Sequence, residues 1–111
     1  MNSQLKRGTL ELLALSVVNR GDCYGYELVN VISKCMEITE GTVYPLMKRL
    51  KDGGLIESYI VESQEGPPRK YYKITPQGHT ELERLENEWF AFVRSIDALL
   101  KGELSDHESN K

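Results

Sequence analysis

Residues 40–50 read Glu-Gly-Thr-Val-Tyr-Pro-Leu-Met-Lys-Arg-Leu, with an apolar side and a cationic side at helical spacing. At 100° per residue the apolar side chains fall within about 100° of arc, and they are Val43, Leu46, Met47 and Leu50. The opposite arc holds Thr42, Tyr44, Pro45, Lys48 and Arg49. The pattern predicts an amphipathic helix over residues 40–51, with the apolar side buried and the cationic side facing out.

The start of this helix admits two interpretations. Thr39 precedes it and is expected to cap it by accepting a backbone N–H with its hydroxyl. Pro45 removes one backbone donor and crowds the preceding turn, so the helix either begins nearer Tyr44 or tolerates a bend. Gly53 and Gly54 mark its end.

Two further helices are predicted upstream, over residues 5–18 and 24–34. From Leu10 onward the first of them is apolar on most sides, and such a helix is buried on most sides. It lies either inside a large core or between two subunits. In a chain of 111 residues the second arrangement is the more natural one.

Two strands are predicted downstream, over residues 55–61 and 69–74, because both stretches are rich in β-branched and aromatic residues. Three helices followed by a hairpin is the order of a winged helix-turn-helix, so the fold class is mainly α with a small β-hairpin. Arg69 and Lys70 begin the second strand, where a wing would reach a phosphate backbone. Alternatively, the two charges keep an edge strand from pairing with another chain.

Thr75-Pro76 predicts the start of a long C-terminal helix, with a capping hydroxyl and a proline at the first helical position. Apolar residues then follow at alternating spacings of three and four, and they are Leu82, Leu85, Trp89, Phe92, Ile96 and Leu99. This heptad seam carries more apolar surface than one small domain covers, so we expect a second copy of the chain to pack on it.

These elements predict a simple organisation of the chain. Residues 1–75 are expected to form a winged helix-turn-helix DNA-binding domain, residues 76–102 a dimerisation helix, and residues 103–111 a disordered tail. No apolar run approaches the roughly 18 residues that a membrane span needs. The polar N-terminus lacks the apolar block of a signal peptide, so a cytoplasmic location is expected.

The motifs that most enzymes require are missing. Cys23 and Cys35 are the only cysteines, and His79 and His107 the only histidines, with no CxxC and no closely spaced histidine pair. A structural zinc site is therefore not expected, and no spacing favours a redox pair. The chain also lacks GxSxG, P-loop and GxGxxG motifs, so neither an enzyme nor a cofactor is predicted.

The net charge of −3 hides an uneven distribution. Residues 1–80 carry ten Lys and Arg against nine Asp and Glu, whereas residues 81–111 carry four against eight. The acidic excess thus lies in the C-terminal third. The basic residues of the predicted helix over residues 40–51 and of the predicted wing lie outside it. A basic face, rather than the charge of the whole chain, is what a polyanion requires.

The chain resembles the PadR family of bacterial transcriptional regulators over about residues 5–101. The most specific match is Gly41-Thr42-Val43-Tyr44-Pro45 followed by Arg69-Lys70-Tyr71-Tyr72. Further matching segments are Tyr24-Gly25-Tyr26-Glu27-Leu28, Lys48-Arg49-Leu50, Gly53-Gly54-Leu55-Ile56 and Ile74-Thr75-Pro76-Gln77-Gly78. The single C-terminal helix is typical of the family's short subfamily.

The resemblance implies a homodimer in which the last helix packs with the first helix of the other subunit. It also implies a palindromic operator, usually repression, and in some members release from DNA by small aromatic compounds. Trp89 matches the position of a tryptophan that lines a ligand pore in some short members, and Phe92 lies one turn on. From the residues alone, an aromatic interface core explains Trp89 and Phe92 about as well as an effector site does.

The predicted function is therefore that of a dimeric winged-helix repressor. Its predicted DNA contacts are Thr42, Tyr44, Lys48, Arg49, Arg69 and Lys70. Arg49 has the better chemistry for guanine, and the lysines are expected to contact phosphates. The alternative is a winged-helix protein-interaction module without DNA binding.

Overall fold

The computed structural model describes residues 3–104, and for residues 3–7 it describes the backbone only. Its elements are α1 (Ser3–Arg20), β1 (Cys23–Tyr24), α2 (Gly25–Ile32), α3 (Glu40–Asp52), β2 (Ile56–Val61), β3 (Arg69–Ile74) and α4 (Pro76–Leu100). The three strands form one antiparallel sheet in the order β1-β3-β2. The predicted class, a mainly helical winged helix-turn-helix with a long last helix, is confirmed. Most of the predicted tail, residues 105–111, lies outside the described part.

The short strand β1 was not predicted from the sequence, which places Tyr24 in a helix. Tyr24 is instead extended (φ −106°, ψ 169°) and precedes the first turn of α2. Its backbone pairs with Tyr71 of β3, and its N–H donates to the Glu27 carboxylate at 3.1 Å. Two residues carry no periodicity, so only the neighbouring strand reveals them as part of a sheet.

Helix α3 runs without interruption through Pro45, so the open question about its start is settled in favour of residue 40. Pro45 is exposed, and the carbonyl of Gly41, which lacks its usual helical donor, belongs to an exposed residue that water reaches. The predicted hydroxyl cap at Thr39 is wrong. The Thr39 carbonyl instead accepts the N–H groups of Thr42 and Val43 at 3.1 and 3.2 Å.

The core lies between α1, α2, α3 and the inner face of the sheet. The predicted apolar side of α3 is buried, as are the apolar side chains that face it from the other elements. The core members are Leu10, Ala14, Leu15, Val18, Cys23, Leu28, Ile32, Val43, Leu46, Met47, Leu50, Ile56, Tyr72 and Leu82. The winged unit, residues 3–74, thus closes around one apolar centre that fixes the orientation of α3.

The start of α4 is tied firmly to this unit. Thr75 caps the helix as predicted, because its hydroxyl accepts the Gly78 N–H at 3.0 Å. The same hydroxyl donates to the Gly54 carbonyl at 2.7 Å, and the Thr75 N–H donates to the Leu55 carbonyl at 3.1 Å. A Cβ on Gly78 would lie 2.0 Å from the Leu55 oxygen, so only glycine allows this close approach.

Helix α4 lies along α1 as far as about Phe92, and its last turns extend beyond the winged unit, which gives the molecule dimensions of 66 × 28 × 20 Å. Its C-terminal half carries exposed apolar side chains, and they are Phe90, Phe92, Ile96, Leu99 and Leu100. We call this set the apolar end of α4. No helix within residues 3–104 combines the length and the apolar character that crossing a membrane requires.

Candidate nucleic-acid interface

The outer side of α3 carries the four residues of this helix that were predicted to contact DNA. Thr42, Tyr44, Lys48 and Arg49 are all exposed, while the opposite side of the helix is buried in the core. The two-sided pattern of residues 40–50 is therefore present in three dimensions. Which of these residues touch DNA stays a prediction.

Tyr44 is held in place by a glycine at the start of α2. A Cβ on Gly25 would lie 2.8 Å from Cε1 of the Tyr44 ring, so the ring occupies space that only a glycine leaves open. Tyr44 nevertheless remains 49% exposed. Contact between the two helices thus fixes the ring while the rest of its surface faces solvent.

Lys48 and Arg49, neighbours in α3, point in different directions. The Lys48 ammonium lies 2.9 Å from the Asp52 carboxylate and lines a concavity toward the wing. The Arg49 guanidinium lies 4.0 Å from the Glu11 carboxylate of α1, on the other side of the helix. Both pairs are largely exposed and contribute little to stability, so a phosphate can compete for either cation.

Lys70 lies across this concavity from Lys48. The space has a volume of about 350 Å³, and its lining is Tyr44, Met47, Lys48, Lys51, Asp52, Lys70 and Tyr72. Lys51 was not among the predicted contacts, although its position one turn after Lys48 could have suggested it. Burial, and then the nearby Tyr44, raise the pKa of the Tyr72 phenol, which keeps its hydroxyl protonated as a donor.

Arg69 and Lys70 were predicted as one basic group, but the sheet separates them. Neighbouring residues of a strand point to opposite faces, and Lys70 shares its face with the buried Tyr72. Arg69 lies on the other face, with its guanidinium carbon 4.6 Å from the centre of the Tyr24 ring. A second groove, lined by Tyr24, Gly25, Tyr44, Pro68, Arg69, Lys70 and Tyr72, adjoins the first.

Four of the six predicted DNA residues therefore meet on one surface between α3 and the wing. We call this surface the cationic face, and it consists of Tyr44, Lys48, Lys51, Arg69 and Lys70. Asp52 is the acidic residue that lines it. Thr42 lines neither groove, and Arg49 points toward α1. The face carries four cations against one carboxylate, which suits a polyanion.

The predicted effector residues lie in a second region, between α1 and α4. The rings of Trp89 and Phe92 are 6.4 Å apart and inclined by 48°. They line a cavity of about 240 Å³ together with Gly8, Thr9, Leu12, Leu85 and Glu88. Trp89 also lines a neighbouring cavity, which contains Glu86 and Phe90. The single tryptophan thus lies between two mainly apolar cavities, the first with Glu88 in its lining and the second with Glu86 and Arg20.

The six residues predicted for the dimer interface divide into two groups. The prediction that Leu82 lies in the dimer interface is wrong, because its side chain is 3% exposed and belongs to the core of its own chain. Leu85 packs partly against that core, and Trp89 is half-buried against α1. Phe92, Ile96 and Leu99 are 52%, 41% and 61% exposed. Only the later part of the seam is open to a second copy.

The described residues give little support to metal binding or to a reactive thiol. Within residues 3–104, His, Cys, Asp and Glu form no group of three that could hold a metal ion. Cys23 is buried and Cys35 exposed, and both are free thiols. Burial, and then the nearby Glu27 and Asp22, raise the pKa of the Cys23 thiol to about 11, so it is a poor nucleophile.

A winged unit that presents a recognition helix, here α3, and a basic wing on one surface defines a winged-helix DNA-binding protein. Residues 14–84 match the sequence profile of the transcriptional regulator PadR-like family. An uncharacterised protein of Lysinibacillus sphaericus is 34% identical over 92% of this chain and 97% of its own length.

Solved structures agree with this class. A protein of Streptococcus mutans superposes with a TM-score of 0.83 at 34% identity, covering 89% of this chain and 92% of its own. A PadR-like transcriptional regulator of Bacillus cereus superposes with a TM-score of 0.79 at 36% identity, covering 88% and 97%. The chain belongs to the PadR-like family. It is a DNA-binding transcriptional regulator and not an enzyme, which sets aside the interaction module without DNA binding.

Proposed function

We propose that the protein is a homodimeric repressor that binds a palindromic operator with the cationic faces of its two subunits. The observation that carries the proposal is the division of one small chain into two surfaces. The cationic face lies between α3 and the wing, and the apolar end of α4 lies on the exposed second half of the last helix. The first surface suits a polyanion and the second suits a second copy.

The apolar end of α4 supports the dimer. Phe92 and Leu99 are more than half exposed, and they continue the heptad seam that Leu82 and Leu85 begin inside the chain. A contiguous exposed apolar patch of this kind marks an interaction site. Two copies related by a two-fold axis cover the same patch on both chains, and such a dimer requires a two-fold operator.

Helix α3 and the wing support two kinds of DNA contact. Thr42, Tyr44 and Lys48 enter the major groove with α3, where Arg49 pairs with guanine after leaving Glu11. Arg69 and Lys70 contact the backbone or the minor groove from the wing. Because lysines act as point charges on phosphates, their contribution is largely independent of sequence and depends on salt.

Trp89 and Phe92 support an effector site. A ligand that stacks on both rings lies in the cavity whose one charged lining residue is Glu88, so the site suits a flat hydrophobic cation. Since Trp89 is the only tryptophan, its fluorescence reports binding directly. Quenching by cationic aromatic dyes, and none by anionic dyes of similar shape, is expected. If no dye of a broad panel changes the emission, Trp89 is an interface residue alone.

The experiment for the main proposal is selection of bound duplexes from a random pool, followed by measured affinities. The double variant Lys48→Ala/Lys70→Ala removes four lysines from the dimer, so it should weaken binding to every duplex and reduce the salt dependence by a log–log slope of about 4. Arg94→Ala/Lys101→Ala removes two cations from the other end of the molecule and is the matched control. A selected motif without two-fold symmetry would contradict the dimer, and an unchanged slope would contradict the DNA face.

A further inference from the structure

Arg69 differs from Lys70 in how the chain holds it. Its guanidinium carbon lies 4.6 Å from the centre of the Tyr24 ring, which is within the range of a cation–π contact. Within the described residues the Arg69 guanidinium makes no hydrogen bond and no ion pair, so its N–H groups stay free for an acceptor. Lys70 has neither a ring beneath it nor an ion pair there. The ring restrains Arg69 without using its donors.

Tyr24 is itself fixed from several sides. Its backbone pairs with Tyr71, and its N–H donates to Glu27. Its ring meets the Tyr71 ring edge-on at 5.4 Å and stacks with that of Tyr26 at 6.5 Å. Residue 24 therefore connects the start of α2 to the middle of β3, and its ring has little freedom to move.

The contacts continue across the outer face of the sheet. The Tyr71 ring stacks on Tyr59 at 5.8 Å, and the Tyr59 hydroxyl donates to the Asp22 carboxylate at 2.6 Å. Asp22 lies in the turn between α1 and β1. This hydrogen bond raises the pKa of Tyr59 to about 12, so the phenol remains a donor at neutral pH. A row of three rings thus joins this turn to Arg69 and ties the wing to the helices.

We propose that Tyr24 is a positioning residue for DNA binding. Its ring holds the Arg69 guanidinium in the groove shared with Tyr44, so that the guanidinium is already in position to contact a DNA phosphate. The inference rests on the proposed function of the cationic face. A long side chain that is restrained before binding loses less conformational freedom when it binds. A planar guanidinium can stack on a ring and still donate from its edges, which an ammonium cannot do equally well.

Variants at position 24 separate the ring from the hydroxyl. We expect Tyr24→Phe to keep the affinity for a selected operator within about twofold, because the ring face binds the cation. Tyr24→Leu should bind about tenfold more weakly, close to the loss for Arg69→Ala. Fluorescence anisotropy with a labelled duplex measures these affinities, and circular dichroism checks that each variant is folded.

The double variant Tyr24→Leu/Arg69→Ala tests whether the two residues act together. If Tyr24 acts through Arg69, the double variant binds no more weakly than Arg69→Ala alone. Losses that multiply would mean that the residues act independently and would overturn the inference. Lys73→Ala is the control, because it removes a cation from the same face of β3, whereas the cation over the Tyr24 ring is Arg69.

Arg69→Lys covers the case in which Tyr24→Leu does not fold. It keeps the charge and changes no core residue, yet we expect a loss of about fivefold because the planar stacking group is gone. Binding of Arg69→Lys equal to that of the parent protein would overturn the inference while the proposed function stands. A parent protein that retains no duplex at low salt would overturn both.

Discussion

The winged unit and the apolar end of α4 place similar side chains in opposite environments. In the winged unit, Leu15, Leu46 and Ile56 are at most 2% exposed. At the end of α4, Phe92 and Leu99 are 52% and 61% exposed. Both regions contain elements with an apolar stripe along one side. Amphipathicity therefore shows that a helix has a partner, and only the tertiary fold shows whether that partner is its own chain.

The strongest way to break this comparison is to place charge on the exposed stripe. We expect Ile96→Glu/Leu99→Glu to weaken the dimer by at least about 100-fold, because burying two unpaired carboxylates is very costly. Operator binding should fall similarly, since each half-site is then bound alone. Analytical ultracentrifugation and anisotropy measure the two losses.

Ser95→Glu is the matched control for this prediction, because it adds charge to an exposed polar position of the same helix turn. It should leave the dimer intact. A double variant that still sediments as the parent dimer would mean that the apolar end of α4 is not the interface.

Two leucines of the same heptad seam sharpen the comparison. Leu82→Ala should lower the free energy of unfolding by about 2–4 kcal/mol at every protein concentration, because it leaves a cavity in the chain's own core. Leu99→Ala should lower it only at concentrations where dimers form. Urea unfolding at several concentrations checks both, and an equal concentration dependence would contradict the assignment of Leu82 to the core.

A smaller effect is expected at the contact between α2 and α3. Gly25→Ala places a Cβ 2.8 Å from the Tyr44 ring, so the ring must move away from its position against α2. We expect operator affinity to fall by about tenfold, with little loss of stability, because Tyr44 is half exposed and can rotate away. Gly66→Ala adds a methyl where nothing lies within 4 Å and should change nothing. An unchanged affinity of Gly25→Ala would remove Tyr44 from the DNA contacts.

The smallest expected effect is a loss of stability in alkali. The pKa of Cys23 rises from 9.0 to about 11 on folding. Since the unfolded thiol ionises first, its contribution to stability is fully present below pH 9 and is lost as the pH rises to about 11. Unfolding free energies over this range should decline, and Cys23→Ala should flatten the decline. Cys35→Ala, at an exposed thiol, should not.

Much of the site was predictable because it depends on local periodicity. The exposed arc of α3, the bounds of β3 and the Thr75 cap follow from residues within one or two turns of each other. Of the two failures, the first depends on a distant neighbour and the second on local geometry. Tyr24 became a strand residue because β3 lies beside it, and the carbonyl of Thr39 took the role expected of its hydroxyl.

The pattern of residues along the chain was sufficient to predict the winged-helix class, the recognition helix α3 and the excess of apolar surface on α4. These follow from side-chain spacing, which a helix or strand converts directly into faces. The contact of Arg69 with Tyr24, the place of Lys51 on the cationic face and the burial of Leu82 depend on how elements far apart in the chain pack together. Packing brings such residues together through contacts that no local spacing encodes.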